Sequence, residues 1–213
     1  MLKTTNPQLT EFLNLNNGPT LIYGEAATGK TCLCLMAAIE NAKTGKVIYI
    51  DTEGGFSIDR IEQIFPHYAA ILKNIFFIRA KSFKQQHKII QNLEKTGKLS
   101  LIIMDTIGNH LRPLFRNHKE LATTCLKKQL RVMEQKAKQD IPILLTTQVY
   151  TNITANKIEP VGGNLLKSFC PSIIRLEQDK RNTRIPARIF TIEKPKLKTT
   201  QFEIQNSGIT INK

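Results

Sequence analysis

The sequence predicts an α/β fold: a mostly parallel, twisted sheet with helices on both faces and antiparallel strands at its C-terminal end. Short apolar runs alternate with longer amphipathic segments over roughly the first two thirds of the chain. Continuous apolar runs are typical of parallel strands buried on both faces. Beyond residue 172 the segments are short and joined by polar turns, which is typical of antiparallel strands.

The first half of the chain contains the clearest strand–helix alternation. Strands are predicted at 20–23, 47–50, 75–78 and 99–104, and helices at 30–42, 58–65 and 83–95. Ser57 is a candidate N-cap for the second helix, and Pro66 ends it. Gly45 and Gly97 end the other two helices.

The second half opens with a long helix, predicted at about 119–139. Its apolar residues recur at spacings of four, four, three and four, which predicts one buried stripe. The stripe consists of Ala122, Leu126, Leu130, Met133 and Ala137, and the other faces carry Lys127, Lys128, Arg131, Lys136 and Lys138. Further strands are predicted at 141–147, 172–177, 187–193, 201–205 and 209–211.

Length and composition predict a single domain over residues 1–213 in the cytoplasm. At 213 residues and 41% apolar content the chain can bury an ordinary core. No apolar run approaches the roughly 18 residues of a membrane span, and the first residues do not resemble a secretory signal. The four cysteines show no metal-binding spacing and are expected to be reduced thiols.

The charge is strongly asymmetric. The whole chain has a net charge of +14, but residues 1–72 carry 5 basic and 7 acidic side chains, whereas residues 73–213 carry 26 and 10. The second part therefore favours a polyanionic partner, and nucleic acid is the natural candidate. A lysine-rich composition without a binding role is the alternative.

An eight-residue motif follows the first predicted strand and opens the first long helix. It reads Gly24-Glu25-Ala26-Ala27-Thr28-Gly29-Lys30-Thr31 and matches G-x-x-x-x-G-K-[ST]. Its glycines let backbone N–H groups surround phosphate oxygens at the positive end of a helix dipole. Lys30 is expected to reach the β- and γ-phosphates, and the Thr31 hydroxyl to bind Mg²⁺. We therefore predict ATP and Mg²⁺ as ligands, contacted by these eight residues and the adjoining Cys32.

Two acidic residues follow other predicted strands. Asp105 ends the apolar strand 99–104, and Glu53 lies just beyond strand 47–50 within Asp51-Thr-Glu-Gly-Gly. The carboxyl ends of parallel strands meet at one edge of the sheet, beside the glycine-rich motif. Asp105 is therefore a candidate metal ligand, and Glu53 could orient a water for attack on the γ-phosphate.

Five blocks of the sequence resemble the RecA/RadA recombinase family. They are residues 24–31, 50–61, 102–106 with 114–116, 145–149 and 160–164, and they lie in the family's order. Residues 162–167, 173–177 and 191–194 resemble in particular its short archaeal branch, the RadB proteins. The resemblance covers about residues 18–200 and implies a RecA-type P-loop ATPase core.

The resemblance also implies roles for individual residues. Glu53 would be the catalytic glutamate, Gln148 would sense the γ-phosphate, and Lys30 would complete the catalytic set. Arg60 would lie near the adenine. Two loops, at about 109–119 and 150–164, would contact single-stranded DNA, and the candidate DNA contacts there and in the basic turn near residue 180 are Arg112, Arg116, Lys157, Lys180 and Arg181.

One departure from the family affects the functional interpretation. A full recombinase has an upstream helical DNA-binding domain and a polymerisation tether, whereas this sequence begins almost at the core. Self-association without long filaments is therefore expected. The resemblance favours a weakly hydrolysing, DNA-binding accessory protein of recombination and repair that works with a RadA-type recombinase. The alternatives are a non-hydrolysing ATP switch acting by protein contact, or a small-molecule P-loop kinase.

Overall fold

The structure is a computed structural model that describes residues 2–15, 18–152, 157–179 and 188–211. The strands are β1 (Pro19–Gly24), β2 (Val47–Asp51), β3 (Ile75–Arg79), β4 (Leu101–Asp105), β5 (Ile143–Thr147), β6 (Val149–Asn152), β7 (Lys157–Pro160), β8 (Ser172–Gln178), β9 (Arg188–Lys194), β10 (Lys198–Gln205) and β11 (Gly208–Ile211). The helices are α1 (Pro7–Leu13), α2 (Lys30–Ala42), α3 (Ile58–Ile64), α4 (Ala69–Leu72), α5 (Phe83–Asn92), α6 (Arg112–Asn117), α7 (Lys119–Ala137) and α8 (Gly163–Phe169). A 3₁₀ turn, Leu93–Lys95, follows α5.

Within these ranges, one nine-stranded sheet has the order β11-β10-β9-β8-β1-β5-β4-β2-β3. The six strands from β8 to β3 pair in parallel, and β9, β10 and β11 are antiparallel. The predicted fold class, a mostly parallel sheet extended by antiparallel C-terminal strands, is confirmed. The carboxyl ends of β1, β2, β4 and β5 therefore lie side by side, which is where α/β sheets bind ligands.

Helices cover both faces of the sheet. On one face, α1, α2, α3 and α4 pack against apolar residues of the sheet, among them those of β2 and of the C-terminal strands. On the other, α5, α7 and α8 pack against alternate residues of the same parallel strands. No helix in the described ranges has the length and apolar character needed to cross a bilayer.

Strand β3 departs from the predicted burial on both faces. It lies at the edge of the sheet, and the side chains of Phe76 and Phe77 are 44% and 41% exposed. Phe77 stacks on Phe56 with ring centroids 4.3 Å apart. An apolar run predicts a strand but does not show whether the strand lies in the centre or at the edge of the sheet. At the edge, β3 has a neighbouring strand on one side only, so its side chains are less covered.

In helix α7, four of the five residues of the predicted stripe are buried, and one lysine predicted on an outer face is buried as well. Lys136 was expected to be solvated, but it is 2% exposed and its Nζ donates to the Thr96 carbonyl oxygen at 2.9 Å. Ala137, assigned to the buried stripe, is only half-buried. Helix α7 packs against the 3₁₀ turn. The lysine stem is therefore covered, and its ammonium bonds the residue that follows that turn.

Strands β6 and β7 were not predicted. They form a separate antiparallel hairpin in which Val149 faces Pro160 and Tyr150 faces Glu159. The hairpin is attached to the end of β5, because the Val161 N–H donates to the Gln148 carbonyl oxygen at 2.9 Å. It therefore projects from the same edge of the sheet at which the carboxyl ends of β1, β2 and β4 lie.

Candidate nucleotide site and adjoining groove

The glycine-rich loop joins β1 to α2 with the geometry that its sequence predicts. Gly29 has a φ of 104°, in the left-handed region that favours glycine. A Cβ on Gly24 would clash with the Leu176 carbonyl oxygen of β8, so the start of the loop also requires glycine. The Thr28 hydroxyl donates to the Glu25 carbonyl oxygen at 2.8 Å and closes the loop.

Lys30 points back across this loop. Its Nζ donates to the carbonyl oxygens of Gly24 at 2.9 Å and Glu25 at 2.7 Å. Burial lowers the pKa of Lys30, while Glu53 and Asp105 oppose that effect by favouring the charged form. The ammonium is thus held over the loop in which backbone N–H groups can surround a phosphate.

Asp105, at the end of β4, accepts hydrogen bonds from three hydroxyl groups. The donors are Thr31 and Tyr49, at 2.8 Å and 2.9 Å from Oδ2, and Thr146, which donates to Oδ1. Burial and the neighbouring Asp105 carboxylate raise the pKa of the Tyr49 hydroxyl well above its usual value, so Tyr49 remains a donor. Because the Thr31 hydroxyl donates its proton to Asp105, the lone pairs of the Thr31 oxygen can bind a cation. The oxygen atoms of Thr31 and Asp105 are ligands that fit Mg²⁺.

Glu53 and Gln148 are brought together from β2 and β5. The Gln148 side-chain amide donates to Glu53 Oε1 at 2.9 Å, and the Thr106 hydroxyl donates to the same oxygen at 2.9 Å. The backbone before Glu53 is fixed by Asp51, whose Oδ1 accepts the N–H groups of Glu53 and Gly54 at 2.9 Å and 2.6 Å. The two residues assigned by resemblance to water orientation and γ-phosphate sensing are therefore neighbours.

Lys30, Thr31, Glu53 and Gln148 meet at a cavity of about 270 Å³, which we call the nucleotide cavity after the ligand predicted for it. Its lining residues are Ala26, Ala27, Gly29, Lys30, Thr31, Cys32, Glu53, Gln148 and Ile204. Most of the predicted nucleotide contacts thus share one cavity. Ile204 of β10 was missed, and it also packs beside Gly29, with its Cδ1 2.9 Å from the position a Gly29 Cβ would take. It lies about 170 residues from the loop in sequence, so no local pattern signals its contribution.

Arg60 lies beside this cavity rather than in its lining. Its guanidinium donates to the carbonyl oxygens of Gln205 at 2.6 Å and Asn206 at 3.3 Å, in the β10–β11 turn. It also lies 3.5 Å from the sulfur of Cys32, which does line the cavity. Arg60 therefore ties the C-terminal turn to the first turn of α2, and an adenine contact stays a prediction.

A second, larger cavity of about 670 Å³ lies between α6, the start of α7, the β6–β7 hairpin and the start of α8, and we call it the groove. Arg112, Phe115, Lys119, Tyr150 and Asn164 contribute to its lining. The side chains of Arg112 and Tyr150 also line an intermediate cavity with Ala26 and Gln148. The intermediate cavity therefore shares lining residues with both the groove and the nucleotide cavity.

The two segments predicted as DNA-binding loops contain more regular secondary structure than loops. The first segment, 109–119, is mainly helical because α6 occupies Arg112–Asn117. In the second, 150–164, the described residues belong mainly to β6, β7 and the start of α8. Only the backbone is described for Arg116, in α6, and for Lys157, in β7. Lys180 and Arg181 lie outside the described residues.

Strand order and site together define a RecA-type α/β fold. The Rad51 family model matches residues 14–212, and the chain belongs to this family. Curated relatives named DNA repair and recombination protein RadB are similar over most of the chain. The protein of Thermococcus sibiricus is 36% identical over 197 residues, covering 89% of this chain and 85% of its own. That of Methanococcoides burtonii is 34% identical over 203 residues, covering 89% and 87%.

A solved structure supports the same grouping. The crystal structure of the RadB recombinase superimposes with a TM-score of 0.82 at 29% identity and covers 98% of both chains. The predicted resemblance to the RecA/RadA family and its RadB branch is thereby confirmed.

Proposed function

We propose that this protein binds Mg·ATP in the nucleotide cavity, hydrolyses it slowly and binds single-stranded DNA in the groove. Its role would be that of an accessory protein in recombination and repair, as the names of its relatives suggest. The observation that carries the proposal is an intermediate cavity, which shares Gln148 and Ala26 with the nucleotide cavity and Arg112 and Tyr150 with the groove.

The nucleotide half of the proposal follows from the donors and acceptors at the sheet edge. Lys30 would exchange its two carbonyl partners for β- and γ-phosphate oxygens, with charge-assisted hydrogen bonds that are stronger than neutral ones. Thr31 and Asp105 would hold Mg²⁺, which neutralises phosphate charge when bound. Glu53 would accept the proton of the attacking water, and Gln148 would leave Glu53 to bond the γ-phosphate.

The DNA half follows from the side chains of the groove. Arg112 and Lys119 are exposed, and Tyr150 is 40% exposed with its hydroxyl bonded to Glu159 at 3.0 Å. Cationic groups supply sequence-independent affinity for phosphates, and aromatic rings supply stacking surfaces for unpaired bases. The groove offers both within one concave surface, which favours single strands.

A non-hydrolysing switch is the second candidate, and one observation favours it. Gln148 and Thr106 both donate to Glu53 Oε1, so the carboxylate is engaged within the protein before any nucleotide contact. If Gln148 stays there in the ATP complex, nucleotide binding would change the surface without turnover, and the output would be contact with a RadA-type recombinase.

Phosphate release, measured with and without single-stranded oligonucleotides, separates these candidates. The proposed function predicts slow hydrolysis that DNA accelerates, and DNA binding that weakens with salt. Tight Mg·ATP binding without phosphate release, together with ATP-dependent capture of the purified recombinase, would favour the switch. Phosphate transfer to a nucleoside or sugar, with no response to DNA, would contradict both.

A further inference from the structure

Glu53 receives two hydrogen bonds from donors that differ in how firmly they are held. The Thr106 hydroxyl and the Gln148 amide both lie 2.9 Å from Oε1. Thr106 is 1% exposed, whereas Gln148 is half-buried and lines the nucleotide cavity. Among the described residues both bonds fall on Oε1, so Oε2 is the oxygen that can face a water.

Thr106 is fixed through its own peptide group. Its N–H donates to the Thr52 hydroxyl at 3.0 Å, and that hydroxyl donates to the Thr106 carbonyl oxygen at 2.8 Å. The carbonyl oxygen of Thr52 in turn accepts the Asn109 side-chain amide at 2.8 Å. Thr52 thus joins the ends of β2 and β4. Because Glu53 follows Thr52 in the chain, these bonds fix the position of Thr106 relative to Glu53.

The number of rotatable bonds in each side chain also indicates that Thr106 is held more firmly than Gln148. A threonine hydroxyl is set by one staggered, β-branched torsion, whereas a glutamine amide depends on three. Gln148 can therefore swing from Glu53 to a phosphate without backbone movement. The Thr106 hydroxyl could leave only by a change of rotamer, which its burial at 1% exposure opposes. After such a swing, Thr106 is the donor that still holds the carboxylate.

We propose that Thr106 is a positioning residue for Glu53, a role that rests on the proposed ATP hydrolysis. By holding Oε1 it directs Oε2 toward the attacking water. As the water oxygen bonds to the γ-phosphorus, its proton passes to Oε2 and the bond from the γ-phosphorus to the bridging oxygen breaks, which gives ADP and phosphate. Thr106 itself gives up no proton in this step.

The test compares Thr106→Val, which removes the donor at nearly constant volume, with Thr106→Ser, which retains it. Losing a hydrogen bond to a charged group corresponds to roughly 10–100-fold, so single-turnover hydrolysis at saturating Mg·ATP should fall by that factor in the valine variant. The serine variant should retain a rate within about threefold of wild type, because its hydroxyl can make the same bond. Affinity for Mg·ADP should be unchanged in both. Thr44→Val, at an exposed threonine beyond α2, is the matched control.

A second measurement does not require turnover. In nucleotide-free protein, Thr106→Val should lower the urea midpoint of unfolding more in the wild-type background than in Glu53→Ala, because the bond exists only when both partners are present. Equal shifts would contradict the bond itself.

The outcomes separate the positioning role from the proposed function. If wild type and Thr106→Val hydrolyse ATP equally fast, only the positioning role is wrong. If Thr106→Ser is as slow as Thr106→Val, volume rather than the hydroxyl matters, which also overturns it. If wild type releases no phosphate, the proposed turnover is wrong, and the positioning role with it.

Discussion

The nucleotide cavity and the groove adjoin each other but are built in opposite ways. Around the nucleotide cavity the polar side chains are already engaged: Asp105 by three hydroxyl groups, Glu53 by Thr106 and Gln148, and Lys30 by two carbonyl oxygens. Around the groove, the side chains of Arg112 and Lys119 are exposed, and Tyr150 of the β6–β7 hairpin is 40% exposed.

The difference matches what each region is proposed to hold. Groups already gathered around one small cavity need only exchange partners when a phosphate binds, as proposed for Lys30 and Gln148. They then need little further reorganisation when charge develops, which is how a catalytic site gains rate. A polymer with varied bases is better held by long cationic side chains and open aromatic faces, which tolerate different sequences. Substitutions in the cavity should therefore have large, specific effects, and those in the groove smaller, graded ones.

The largest effect is expected from Glu53→Gln. The amide is nearly isosteric but cannot accept the water proton, and general-base catalysis contributes about 10²–10⁴-fold. Single-turnover hydrolysis should fall by that factor while nucleotide affinity is kept. Glu62→Gln, on the exposed side of α3, serves as control. An unchanged rate would show that another group orients the water.

Lys30→Ala tests the nucleotide cavity at the binding step. Loss of charge-assisted bonds to phosphate should weaken Mg·ATP by roughly 10²-fold. Titration of a folded variant measures this, with Lys43→Ala, at an exposed lysine paired with Glu40, as the matched control. Affinity within about twofold of wild type would remove the phosphate assignment.

Tyr150→Ala probes the stacking surface of the groove. Aromatic stacking contributes about 1–3 kcal/mol per base, so affinity for a single-stranded oligonucleotide should fall roughly tenfold. Tyr150→Phe removes only the bond to Glu159 and should bind almost normally. Fluorescence anisotropy decides between them, and equal losses in both variants would exclude stacking.

The smallest effect is expected from the double variant Arg112→Ala/Lys119→Ala. If both side chains contact phosphates, the slope of log affinity against log salt for single strands should become shallower by about 1.4, which is about 0.7 for each contact. The pair Lys84→Ala/Lys88→Ala on the exposed side of α5 removes the same charge elsewhere. An equal change in both pairs would show that only net charge matters.

Local patterns predicted some parts of the molecule well. The buried strands β1, β2, β4 and β5 and the helix α2 follow from continuous apolar runs and from a motif whose glycines and lysine are contiguous. The predictions were wrong or absent where a local pattern does not show which elements lie beside a residue or a strand. The exposed edge at β3, the buried Lys136 and the β6–β7 hairpin each depend on which element lies alongside.

The sequence by itself determined the fold class, the glycine-rich loop and the two carboxylates, because each depends on residues close together in the chain. Only the tertiary structure decided how these groups meet. Thr106 and Gln148 reach one oxygen of Glu53, Tyr49 reaches Asp105, and Ile204 completes the cavity, because parallel strands bring their carboxyl ends to one edge whatever the length of chain between them. Such contacts between distant residues depend on strand order, which hydrophobic patterning does not encode.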